Sequence, residues 1–288
     1  MQFYAEPSFG TDPPFGASLH YWLSEDMAAA MGDSISLVIT SSEGDTLRTI
    51  QPSGEAGFNR VWWDFKEDPT TTLVMRTKPK YADWYPLDEN RTREAPISPV
   101  ARLVPPGTYQ VHLKAGDQIQ TQTIEVLKDP NSEGTLEDIQ LQAALLDKIK
   151  TDIEAITLTV NEAERIRRQL LDMKPMLAEN HQEIHTMLAS VDSSVLEIEN
   201  QMIQLMRTGR GQDGVRFPGM LLEKLSYLFS AVATSDFRPA DQHEEVYETL
   251  HARWENVQAA WEDCKRGPVS DLVKMLQDND IGPLLVSR

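Results

Sequence analysis

At 288 residues the chain is long enough for two domains, each with its own core, and its 40% hydrophobic and 25% charged content is that of a soluble globular protein. A formal net charge of −18 repels phosphate backbones and anionic membrane, which argues against nucleic acid as a partner and otherwise serves solubility. No apolar run approaches the ~18 residues that span a bilayer, so no membrane span is expected.

The first residues, Met1 to Pro7, lack the basic and apolar regions of a signal peptide. Taken alone, that points to the cytoplasm, or to a mature or excised fragment of a longer protein. Strand-like segments then follow at short intervals. Ser18–Leu23 is the first. Ser34–Thr40 alternates small polar residues with Ile, Leu and Val, the period of a half-buried strand. Glu43-Gly44-Asp45 makes a turn into Thr46–Ile50. Gly57–Phe65 is aromatic-rich and carries Trp62 and Trp63, which as strand neighbours face opposite sides. Gly107–Lys114 and Ile119–Val126 form a hairpin over Ala115–Gln118. Such a series suits an immunoglobulin-like β-sandwich over residues 1–128. In it Tyr109, just after Pro105-Pro106-Gly107, is either a corner tyrosine bonded back to the turn or an ordinary core aromatic.

Residues 66–104 interrupt the strands as a long irregular insertion with five prolines and mixed charge. Tyr81, Trp84 and Tyr85 give it enough apolar area to anchor an interface. The expected binding residues are therefore Tyr81, Trp84 and Tyr85, with one of Trp62 and Trp63. Asn90-Arg91-Thr92 matches the glycosylation acceptor pattern, which is too short to carry weight.

Asp129–Gly134 is polar and bears Pro and Gly, a hinge into a different kind of chain. Residues 129–288 read as an antiparallel helical bundle of four to five helices that includes a long helical hairpin. Thr135 with Asp138 is an N-cap signal. Leu146, Ile149, Ile153, Ile156, Val160 and Ala163 step by three and four, and Pro175 ends that helix. Ile184, Leu188, Val191, Val195, Ile198, Met202 and Leu205 repeat the rhythm. A turn follows at Gly209, Gly211 and Gly214. Leu222, Leu225, Phe229 and Val232 mark a third helix, and Val246, Leu250, Trp254, Val257 and Trp261 a fourth. Beyond Gly267-Pro268 a short helix carries Val269, Leu272 and Leu276.

No catalytic set, metal site or cofactor motif emerges. His181 and His185 have zinc-ligand spacing, but Glu183 stands third in the stretch where a zincin needs it second. Cys264, the one cysteine, has no local activating pattern. Arg165, Arg167 and Arg168 read as a surface cluster among acids, and Glu197 and Glu199 as a solvated helix face.

Taken in order, several segments carry a resemblance: Asp12–Ser18 leading into Leu19–Leu23, Gly57–Asp64, Met75–Pro79, Pro105–Val111, Lys128–Pro130, Leu225–Leu228 and Thr234–Pro239. The series resembles the C-terminal region of bacterial sortilin-like proteins, secreted chains with Asp-box (BNR) propellers often labelled glycosyl hydrolases. The resemblance implies a sandwich and bundle that follow the propellers, in a secreted or periplasmic setting. It implies no hydrolase activity here, because that surface belongs to propellers whose Asp-box repeats this chain lacks. The resulting expectation is a non-catalytic accessory and interaction module. Its partner is a propeller domain of a parent or partner chain, a second copy, or a neutral glycan. The alternatives are a stand-alone carbohydrate- or protein-binding protein, and a hydrolase with an unrecognised site.

Overall fold

The computed structural model describes residues 12–31, 34–178, 180–209 and 216–282. The chain divides into two compact units. One is formed by residues up to Asp68 and by Ala101–Ser132, the other by Pro69–Val100 and the chain from Glu133 onward. The expected order of an all-β domain followed by an all-α one is not what forms. The strand-bearing unit contains a helix and two small sheets, not an immunoglobulin-like sandwich. The helical unit includes the extended residues 69–100, expected as an insertion among the strands. The physical reason is where those residues find partners: their amides and their Leu73 and Met75 side chains are satisfied by a helix.

In the first unit, β1 (Ala17–Leu23) pairs antiparallel with β4 (Gly57–Trp63). Four more strands lie in the order β3 (Thr46–Ile50), β2 (Ile35–Thr40), β5 (Gly107–Ala115) and β6 (Gln118–Val126), all antiparallel. Helix α1 (Glu25–Met31) follows β1. The alternation on β2 and β5 turns Leu37, Ile39, Tyr109 and Val111 onto Trp63, which is wholly buried. Trp63 meets Phe65 and Tyr109 edge-on, at ring-centroid distances of 5.4 and 5.9 Å, and its Nε1–H donates to the Lys66 carbonyl at 3.0 Å. Tyr109 is the bonded tyrosine: its hydroxyl donates to the Pro105 carbonyl at 2.5 Å. Gly16 enters β1 with φ of +122°, and a Cβ there would lie 2.0 Å from the Trp63 carbonyl oxygen. Only glycine allows that approach.

In the second unit, α2 (Leu136–Met173) runs 38 residues, about 57 Å at the helical rise. The Thr135–Asp138 capping box starts it, and a 3-10 turn at Lys174–Met176, containing Pro175, follows it. The chain then folds back as α3 (Gln182–Met202), followed by α4 (Leu221–Val232), α5 (Asp241–Cys264) and α6 (Ser270–Asp278). The two seams read from sequence meet in one core, with Ile149, Ile153, Ile156, Val160 and Ala163 against Val191, Val195 and Met202. Val246 departs from its expected place and is exposed; the buried stripe of α5 starts at Leu250. Gly267-Pro268 does not break the chain either. A π turn at Lys265–Val269 carries α5 into α6. Gly211 and Gly214, read as part of a turn, and the leading residues Met1–Pro7 lie outside the described residues.

Candidate functional site

Residues 71–93 run along α2 as a strap, and four groups on the helix hold it. Glu154 accepts from the Thr71 amide and hydroxyl, both at 2.6 Å. Asn161 accepts from the Val74 amide at 2.7 Å and donates to the Thr72 carbonyl at 3.0 Å. Glu164 accepts from the amides of Arg76 and Thr77 and from the Thr77 hydroxyl. Asp172 takes a fork of two bonds from Arg91, at 2.7 and 3.2 Å. A strap with little regular structure is thus held by side chains where a strand would use a neighbouring backbone.

The third of these ties is the electrostatic centre of the unit. Glu164 and Glu199 are each 0% exposed. Arg167, also buried, donates through Nη1 to Glu199 at 2.8 Å and to the Thr77 hydroxyl at 3.3 Å, and through Nε to Asp192 at 3.0 Å. Burial, then the charge of Glu164, pushes Glu199 well above the usual carboxyl range, against the pull of Arg167. Glu199 Oε1 has no donor facing it. The contact with Glu164 acts in the same direction as burial, favouring the protonated form of Glu199. Burial works to lower Arg167, but Glu199 and Asp192 outweigh it and hold it above its ordinary value. Arg93 closes the arrangement: its Nε donates to the Thr77 carbonyl at 2.8 Å, and its amide donates to the Met75 carbonyl at 2.9 Å.

Two readings of the sequence are corrected here. Glu199 is not on a solvated face and Arg167 is not part of a surface cluster; both lie inside the helix pair. The available signal was position. Glu199 follows Val195 by one helical step on the buried stripe of α3, and Arg167 stands beside Ile166 and Leu170 on that of α2.

The aromatics expected to bind are dispersed. Tyr81 and Trp84 are 62% and 51% exposed. Tyr85 is half-buried, 5.8 Å from the Trp84 ring, with the Arg207 guanidinium 4.8 Å from its own ring centre. Lys80 anchors this stretch: its amide donates to the Leu205 carbonyl and its carbonyl accepts from the Arg207 amide. Trp63 is core and offers no surface, while Trp62 is half-buried on the outer face of the β1/β4 ladder. That face holds an aromatic pair not singled out from sequence, Trp22 opposite Phe58, exposed at 67% and 68%. His20 packs 5.1 Å from Phe58 and accepts from Arg60 at 2.9 Å. The available signal was simple alternation, since Trp22 shares a face with Ser18 and His20.

A second polar cluster lies between α2 and α5. His251 Nδ1 is 2.8 Å from the buried Asp152 carboxylate, and the Tyr247 ring stacks on His251 at 5.4 Å. Burial and Asp152 push the Tyr247 hydroxyl up to about 12, the wrong direction for a nucleophile or base at neutral pH. Burial likewise raises the Cys264 thiol. Among the described residues, no group of three His, Cys, Asp or Glu side chains is arranged to hold a metal ion, and no helix is long and apolar enough to cross a membrane. Comparison with protein families, curated proteins and solved structures matches none of them to this chain.

Proposed function

We propose that this chain is a non-catalytic interaction module whose partner is a protein, docking on the strap at Tyr81 and Trp84. The observation that supports this is the pairing of exposed aromatics with a support tied to α2 at four points. Aromatic anchors on a pre-ordered backbone contribute most per residue to binding, because little freedom is lost on docking. The buried charges next to the strap are engaged in holding it, which suits scaffolding better than turnover. From the resemblance to sortilin-like proteins, the partner is a propeller of a parent or partner chain, in a secreted or periplasmic setting. Tyr81→Ala with Trp84→Ala tests it. Loss of binding to such a propeller, or of self-association, with unchanged thermal stability is expected. Unchanged binding to both in a folded double variant rejects the docking site.

The β1/β4 face favours a second reading, a platform for a neutral glycan. Trp22 and Phe58 stand opposite each other on the ladder and are both exposed, with His20 packed on the Phe58 ring and bonded to Arg60. Glycan binding that is abolished by Trp22→Ala and survives Trp84→Ala would select this reading over the first.

A further inference from the structure

Strand β6 is a sheet edge without the usual defences. It runs nine residues in unbroken register with β5, with no proline or bulge and with Glu125 as its one charge. Every residue of it except Ile124 and Val126 is exposed, Ile119 at 60%, and among the described residues no strand pairs with its outer side. Which backbone groups face outward follows from the hairpin. Gly116 and Asp117 make a two-residue loop, with Gly116 at φ +58°, so Ala115 and Gln118 close it as a hydrogen-bonded pair. Alternation from there points the N–H and C=O groups of Ile119, Thr121, Thr123 and Glu125 away from β5. The same alternation, carried across β5 and β2, turns Leu47 and Thr49 outward on β3, the opposite edge. There the outward groups are capped: the Asp68 amide donates to the Leu47 carbonyl at 2.7 Å, and the Asp68 carboxylate accepts from the Thr49 amide at 3.2 Å. The β6 edge has no such cap among the described residues.

We propose that β6 pairs antiparallel with the β6 of a second copy, over its full length and about a two-fold axis at Gln122. That register sets outward groups against outward groups: Thr121 meets the partner's Thr123, and Ile119 meets the partner's Glu125. Lys114 stands opposite Ile119 on β5. Lys114, Ile119 and the partner's Glu125 then line up across one face, with the two charged residues about 10 Å apart at the backbone. The lysine stem covers Ile119 and its ammonium reaches the carboxylate. Both charges are free to do so, since neither Lys114 nor Glu125 has an ion pair among the described residues. The two-fold axis makes the contact twice. This complementarity selects a second copy as the occupant, and a nearly neutral edge lets two chains of net charge −18 approach. Because Asp68 caps the β3 edge, pairing through this sheet closes as a dimer. The edge is separate from the Tyr81 and Trp84 surface and does not depend on the interaction reading.

The test is sedimentation equilibrium of the full chain at rising concentration in low salt, where reversible dimerisation is expected. Thr123→Pro removes an outward amide and no bond to β5, so it should abolish the dimer while the melting curve stays close to the parent's. Lys114→Glu sets two acids against each other at both ends of the pairing and should weaken the dimer roughly tenfold. Lys114→Glu with Glu125→Lys exchanges the charges and should restore it. A monomer at every concentration, a dimer of unchanged strength in folded Thr123→Pro, or a double exchange no tighter than Lys114→Glu alone each overturns the proposal. So does a dimer that survives Thr123→Pro and is lost on Tyr81→Ala with Trp84→Ala, which would place self-association on the strap.

Discussion

Glu164 on α2 and Glu199 on α3 both lie out of contact with solvent, and burial together with the charge of Glu164 holds Glu199 well above the usual carboxyl range. Glu164 spends its oxygens on the strap, at the amides of Arg76 and Thr77 and the Thr77 hydroxyl. Glu199 is left with Arg167 on Oε2 and no donor at its buried Oε1.

This arrangement sets a pH dependence. Folded Glu199 keeps its proton at pH values where the unfolded chain has released it, so the folded state binds more protons. Its contribution is therefore fully present below the ordinary glutamate value and is lost as pH rises through the raised folded value. Glu199→Gln keeps an acceptor for Arg167 and a donor for Glu164 without the charge. The variant should be more stable than the parent above neutral pH, by on the order of 1 kcal/mol, with the difference shrinking in acid. Urea denaturation across that pH range measures it; a gap that widens in acid contradicts a protonated Glu199.

Glu164→Ala should release the strap. Two amides and the Thr77 hydroxyl lose their acceptor in a buried site, at a cost of about 3 kcal/mol or more. Hydrogen exchange at Arg76 and Thr77 should accelerate more than exchange in the α4 helix. Uniform acceleration throughout the helical unit would mean that Glu164 supports the bundle and not the strap in particular.

Gly134 stands directly before the Thr135 cap, and a Cβ there would lie 2.1 Å from the backbone carbonyl oxygen of Asp236. Because that obstacle is backbone, Gly134→Ala should destabilise the chain by more than about 1 kcal/mol. Thermal melting reads this, and a melting temperature equal to the parent's would show that the loop at Asp236 yields freely.

Tyr109→Phe removes the hydroxyl that donates to Pro105 and leaves the ring against Trp63. A loss of about 1 kcal/mol is expected, since the packing stays and one hydrogen bond goes. Denaturation followed by tryptophan fluorescence checks it; no loss would show that water replaces the bond without cost.

The helices and their mates were legible in the chain. Steps of three and four from Leu146 to Ala163 and from Ile184 to Leu205 name the faces that meet, and Thr135 with Asp138 marks where the first begins. Neighbouring Trp62 and Trp63 likewise had to face apart. Periodicity reports which side of a regular element avoids water, and it is written locally. The destination of residues 69–100 is not written that way. An irregular segment satisfies its amides through side chains of another element, here Glu154, Asn161 and Glu164, which by themselves look like ordinary polar helix residues. Only the folded chain, by bringing that segment onto α2 and α3 onto its flank, turned Glu164, Arg167 and Glu199 from surface charges into a buried network and left Arg93 with a donor unfilled.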